Sequence, residues 1–207
     1  MSPILDLPIA AAIWIIGFLW LGRTGSWTLL AVMAIAGALR LVLGDRQTRD
    51  LLVPRVAALV VGLAAGVAMA VTTLLLERPL AAVWPAFTPE THRLYAMLRG
   101  SGHEGPPLVG LILIMSASEE ILFRGRVLGP PARGPGWPAS QDWSRIAYST
   151  AIYGAAHAAS GSLMLLLVAL LCGAAWALVR VLARNLWGSI LTHALWDLAI
   201  LIVFPAA

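Results

Sequence analysis

Hydrophobic positions along this chain fall into long continuous runs, without the strict alternation that marks a half-buried strand. Seven runs stand out, over residues 7–22, 26–43, 54–76, 106–128, 144–159, 162–183 and 186–204. A helix that crosses a bilayer needs about 20 mostly apolar residues at 1.5 Å rise each. The pattern therefore predicts an all-α fold, a polytopic transmembrane helix bundle of about seven spans plus a short interfacial helix. The fifth run is short and rich in small residues. A membrane barrel would alternate apolar and polar positions within each strand, and these runs do not. The first run lacks a basic leader and a small-x-small cleavage site, so it reads as a retained span, not a signal peptide.

Two connections are long. Residues 129–142 (GPPARGPGWPASQD) are rich in proline and glycine and read as an irregular cytoplasmic loop. Residues 77–105 contain TPETHRLYAMLRG, which carries helix punctuation at both ends. Thr88 suits a cap, Pro89 the first turn, Glu90 the dipole and Gly100 the stop. Leu94, Met97 and Leu98 form an apolar stripe opposite His92, Arg93 and Arg99. The segment reads as an interfacial helix on the bilayer surface, or as a loop helix packed on the bundle. No internal repeat is visible. The chain reads as one membrane domain, 1–207, with three N-terminal spans in 1–76 and a helical core in 106–204.

Composition sharpens this picture. The 207 residues are 60% hydrophobic and 12% charged, against about a quarter charged in an ordinary soluble domain. Mean hydropathy is +0.86. Lipid must serve as solvent, which excludes an isolated nucleic-acid-binding domain, a disulfide scaffold and a disordered tail. All 14 basic residues are arginine and are scattered through connections, so the basic balance implies no nucleic-acid partner. The lysine-free composition points to a GC-rich bacterial genome. The lone Cys172 sits in an apolar run, which leaves no partner for a disulfide within the chain. Arg40, Arg46, Arg49 and Arg55 flank the second connection, Arg126, Arg133 and Arg145 the fourth, Arg180 and Arg184 the sixth. On a seven-span count, the positive-inside rule puts the N-terminus in the cytoplasm.

Charges inside apolar runs are the informative anomaly, because each costs about 2.5–3.5 kcal/mol at the bilayer centre. The fourth run carries Glu119 and Glu120, with Arg124 one turn beyond. Glu120 and Arg124 are spaced to pair along one helix face, while Glu119 points about 100° away. The fifth run holds His157, with Tyr153 one turn before it. The seventh places His193 and Asp197 four residues apart on one face. Taken singly, each set suits interhelical hydrogen bonding or a helix-end ion pair. Together the six groups fall on three helices of the C-terminal half. A lipid-shielded pocket of carboxylates and imidazoles is equipped for general acid–base hydrolysis.

These residues resemble a known family. EEILFR matches the EExxxR signature of the CPBP intramembrane proteases, which include CAAX prenyl endopeptidases and bacteriocin-processing proteins. The family's FxxxH motif is present as Tyr153-Gly-Ala-Ala-His157, and its histidine followed by Asn or Asp as His193 and Asp197. The resemblance covers about residues 106–204; the first spans match by hydropathy alone. It implies hydrolysis of a peptide bond by activated water, without a covalent intermediate. Glu119 would be the general base, and His157 would hold the water and pass its proton to the leaving amine. His193 and Asp197 would stabilise the oxyanion or position the scissile carbonyl, Asp197 doing so when protonated or through His193. Arg124 would pin Glu120. Tyr153, the one departure from the motif, bears on substrate binding.

No cofactor is favoured, although zinc on Glu119, His157 and His193 stays open, because two imidazoles and a carboxylate suit that ion. The rival readings are a proton-coupled transporter and a non-catalytic chaperone or assembly partner. The expected partners are membrane lipid and a peptide or protein with a membrane-associated segment. A bacteriocin leader or C-terminal sorting helix fits a bacterial cytoplasmic membrane better than a prenylated CAAX protein does.

Overall fold

The computed structural model describes residues 3–99, 105–129 and 138–204, all of whose regular structure is helical. Helix α1 spans Pro3–Thr24 and α2 Thr28–Gly44, joined at Gly25, whose φ of 67° is the left-handed conformation that glycine adopts freely. The short α3 spans Arg46–Leu51, α4 Val56–Val83 and α5 Phe87–Arg99. Helix α6, Pro106–Glu119, runs on through a π-helical segment, Glu120–Val127. Then come α7 (Ser140–Ala158), α8 (Leu163–Ala183) and α9 (Leu186–Leu198), the last extended by π-helical Ala199–Val203. Gly100, read as a helix stop, lies outside the described residues, as does most of the 129–142 loop.

The seven-span expectation is corrected. Among the described residues, four helices are long and apolar enough to cross a membrane: Val56–Val83, Pro106–Val127, Leu163–Ala183 and Leu186–Val203. The second expected span corresponds to a shorter apolar helix, Thr28–Gly44, and the described part of the first to Ala11–Thr24 within α1. At 17 residues, α2 reaches only about 26 Å, against a hydrocarbon core of about 30 Å. The fifth run belongs to α7, which opens SQDWSR and turns Asp142, Ser149, Thr150 and His157 inward. Ile146, Tyr153 and Ala156 are buried beside these polar groups, while Trp143 and Tyr148 stay exposed. The seven-span parity that placed the N-terminus in the cytoplasm goes with the count. Four spans still make the chain an integral, multi-pass membrane protein.

Helix α4 shows how such a sequence chooses its packing face. Its buried residues are Ala58, Gly62, Gly66 and Ala70, a stripe of small side chains at four-residue spacing. Large residues such as Val56, Val67 and Leu75 stay exposed on the outside, as lipid-facing positions do. Without a hydrophobic drive between helices in lipid, small residues permit close backbone approach. The stripe lies against α9, where Thr192 Oγ1 sits 3.1 Å from the Gly62 carbonyl and 2.8 Å from that of Gly188. A Cβ on Gly62 would lie 2.6 Å from the Gly188 carbonyl oxygen, a backbone atom with little room to yield. Gly62→Ala should therefore lower stability by about 1–3 kcal/mol through overpacking. Gly110→Ala, where an added Cβ meets nothing within 4 Å, should be neutral or slightly stabilising. Thermal melts of both variants in detergent micelles check the contrast.

Helix α3 is held by Asp45, whose carboxylate accepts from Gln47 N (3.3 Å), Thr48 N (3.2 Å) and Thr48 Oγ1 (2.7 Å). Arg49 NH1 in turn donates to the terminal carbonyls of α2, Val42 at 3.2 Å and Leu43 at 2.8 Å. Partial burial pushes the Asp45 carboxyl up, but the Thr48 and Gln47 hydrogen bonds and the nearby Arg126 charge outweigh it. The net result is a value below the ordinary 3.8. A carboxylate depressed on folding adds stability above its unfolded value, and this is lost as pH falls through its folded value. Asp45→Ala should cost about 1 kcal/mol at neutral pH. The gap between the two proteins should close as the pH drops below 3.8 in paired melts.

Helix α5 is tied to the bundle. Leu94 and Tyr95 are buried, Tyr95 Oη donates to the Ile200 carbonyl at 2.6 Å, and Trp27 Nε1 donates to the Met97 carbonyl at 3.1 Å. Of the two readings of this segment, the helix packed on the bundle matches these contacts. The protein core runs through Trp14, Phe18, Leu30, Phe123, Trp176 and Trp196.

Candidate active site

The acidic pair lies where α6 changes from α- to π-helical geometry, between Glu119 and Glu120. Such π-segments are rare and recur at functional sites. The two carboxylates part as their helical spacing requires. Glu120 is fully buried, its Oε1 lying 3.2 Å from Arg124 NH1 and 3.0 Å from His193 Nδ1. Glu119 lines a cavity and accepts a hydrogen bond from the Tyr153 hydroxyl of α7. Tyr153 thus meets the expected general base as well as lining the cavity.

Arg124 is fully buried as well. Its NH2 donates to the Gly173 carbonyl of α8 at 2.9 Å, and its guanidinium lies 4.3 Å from the Tyr153 ring centroid and 5.5 Å from that of Trp176. Those are cation–π distances, which suit a planar, weakly hydrated cation. Position 173 must be small: a Cβ there would lie 2.9 Å from Tyr153 Cδ1 and 3.1 Å from Arg124 NH2.

His157 Nδ1 is 2.8 Å from the Tyr153 carbonyl one turn earlier. A carbonyl only accepts, so Nδ1 carries the hydrogen, and in the neutral ring Nε2 keeps its lone pair. His193 is clamped on three sides. Trp176 stacks on its ring at 3.5 Å and 16°, Glu120 takes Nδ1, and Asp197 Oδ2 lies 3.3 Å from Nε2. The i,i+4 pairing of His193 with Asp197 and of Glu120 with Arg124 follows the sequence spacing. The bond that joins them, His193 to Glu120, spans 73 residues.

Glu119, Tyr153, His157, His193 and Asp197 all line one cavity of about 730 Å³. Its other walls are mainly apolar and come from α4, α5, α8 and the end of α9, for example Met69, Leu94, Leu165 and Leu201. Glu120 and Arg124 stand behind this lining and support it. Several contributors were invisible from local spacing: Trp176 and Gly173 on α8, and Ser116, whose Oγ lies 2.8 Å from Asp197 Oδ2. Arg180, which flanks the sixth connection in the last turn of α8, is also fully buried.

Zinc does not suit this arrangement. Both ring nitrogens of His193 face carboxylates, so it offers no free nitrogen to an ion, and His157 keeps only Nε2. Among the described residues, no three His, Cys, Asp or Glu side chains come together as a metal-holding group.

Fold and site define a class: an all-α integral membrane protein with a buried acid–histidine cluster at an apolar cavity. A family model described as Type II CAAX prenyl endopeptidase Rce1-like matches residues 103–199. A CPBP/Rce1-like CAAX-protease domain thus matches part of the chain, and that part includes every residue of the cluster. No curated protein and no solved structure matches the chain.

Proposed function

We propose that this chain is an intramembrane endopeptidase that hydrolyses a peptide bond of a membrane-associated protein or peptide, with residues 106–204 as its catalytic core. The observation that carries this reading is the shared cavity lining of Glu119, His157, His193 and Asp197, two acids and two imidazoles opening on an otherwise apolar space. In the reaction, Glu119 takes a proton from a water molecule, and the lone pair on His157 Nε2 holds the water's other hydrogen. The water oxygen attacks the scissile carbonyl. The charge on its oxygen is met by the His193–Asp197 pair, held at 3.3 Å, which donates to it from His193 Nε2–H or from the protonated Asp197 carboxyl. The proton collected from water then passes to the leaving amine, and the C–N bond breaks.

Glu120 and Arg124 act at one remove, fixing His193 and the π-helical segment. Lipid is the expected surrounding partner, and the lysine-free composition favours a bacterial cytoplasmic membrane. Quantitative peptidomics of membranes from a Glu119→Ala strain against its parent tests the reading. Loss of defined cleavage products, with full-length precursors accumulating, is expected. Identical peptide profiles at equal protein levels would sink it in favour of a non-catalytic partner.

A further inference from the structure

Ser116 lies one helical turn before Glu120 on α6 and is only 1% exposed. Its Oγ is 2.8 Å from Asp197 Oδ2 across the α6–α9 contact, and 2.8 Å from the Ile112 carbonyl of its own helix. The second contact is ordinary for a serine within a helix and would satisfy the hydroxyl alone. The first links two helices and falls on a side chain that lines the cavity. A hydroxyl donates one hydrogen and accepts through its lone pairs. Ser116 donates to Asp197 Oδ2 in either state, which keeps the proton of the His193–Asp197 pair for the cavity. Both contacts of Asp197, from Ser116 Oγ and from His193 Nε2 at 3.3 Å, fall on Oδ2. Neither contact uses Oδ1.

We infer that Ser116 is a positioning residue of the site, one that anchors Asp197 through Oδ2 and thereby fixes the His193–Asp197 pair toward the cavity. This rests on the hydrolytic reading above. The chain of contacts runs Ser116–Asp197–His193–Glu120–Arg124, with a polar anchor at each end: the Ile112 carbonyl for Ser116 and the Gly173 carbonyl for Arg124. Without the serine, Asp197 keeps only the longer His193 contact, and its carboxyl is free to rotate.

Nitrogen-15 NMR of the full chain with labelled histidine, in lipid nanodiscs, tests the inference. Four histidines make assignment tractable, the His193 signals being those lost in His193→Gln. Ser116→Ala should shift the His193 Nε2 resonance, whereas Ser116→Thr, which keeps the hydroxyl, should leave it near the wild-type position. Thermal melts of both variants establish that they fold. On a cleaved peptide, Ser116→Ala should lower kcat about ten- to a hundredfold with KM little changed, the penalty of a misplaced reacting group. An unmoved Nε2 signal in Ser116→Ala would overturn the inference, as would an equal shift in Ser116→Thr. Cleavage that persists in Glu119→Gln would instead overturn the hydrolytic reading, and the two failures are read from separate measurements.

Discussion

Glu119→Gln is expected to reduce hydrolysis by about 10²–10⁴-fold, the range associated with losing a positioned general base, while leaving the protein folded. The two halves of that expectation rest on different contacts. The amide of glutamine matches the carboxylate in size, and its Oε1 still accepts the Tyr153 hydroxyl hydrogen that Glu119 accepts now. The ion pair that organises the segment belongs to Glu120 and Arg124, which the substitution leaves intact. What disappears is the capacity to take a proton from water. Turnover of a cleaved peptide, measured beside a thermal melt of the same preparation, separates the outcomes. A wild-type rate would remove Glu119 from its central role. A folding defect as large as the activity loss would favour interhelical hydrogen bonding as the purpose of the cluster.

Arg124→Met carries the largest expected effect on stability, about 3–5 kcal/mol, because it strands a buried carboxylate. Both members of the Glu120–Arg124 pair are fully shielded from solvent, at 3.2 Å. The arginine also holds the Gly173 carbonyl of α8 and lies over the Tyr153 ring. Its removal therefore loosens three helices at once. The size of the effect measures the cost of an unpaired Glu120, not the net worth of the pair, since desolvation offsets much of the Coulomb gain. The double variant Glu120→Gln with Arg124→Met should accordingly recover a substantial part of the loss. Arg124→Lys should fall between them, because an ammonium cannot span Glu120 and Gly173 while stacking on Tyr153. Unfolding midpoints of these variants in one detergent check the order. Equal midpoints for wild type and Arg124→Met would mean that Glu120 finds another cation.

How much of this was legible in the sequence depends on the range over which each feature is decided. Helical class was readable because continuous apolar runs exclude strands and soluble folds alike. The i,i+4 pairs were readable because a helix places residues four apart on one face: Glu120 with Arg124, His193 with Asp197, and Tyr153 with His157 all meet as their spacing implies. The divergence of Glu119 from Glu120 follows from the 100° step between neighbours.

The span count was not readable in the same way. Windowed hydropathy records that a run is apolar and not whether lipid or protein covers it. In α7 the inward face carries Asp142, Ser149, Thr150 and His157, and the helix is not among the four that are long and apolar enough to cross a membrane. In α2 the run is simply shorter than the hydrocarbon thickness. Arg180 does flank the sixth connection, in the last turn of α8, but a position near a helix end says nothing about the neighbours that bury it.

By itself, then, the sequence determined a helical, lipid-solvated chain, the six ionisable groups of its C-terminal half and their pairing within each helix, because helix periodicity and hydrophobicity act over a few residues. Tertiary structure alone decided that His193 reaches Glu120 across 73 positions, that Trp176 stacks on its ring, and that Ser116 holds Asp197. Those contacts depend on how helices cross. Crossing is set by where small residues such as Gly62 and Gly173 let backbones and bulky side chains approach, and a linear pattern does not carry that information.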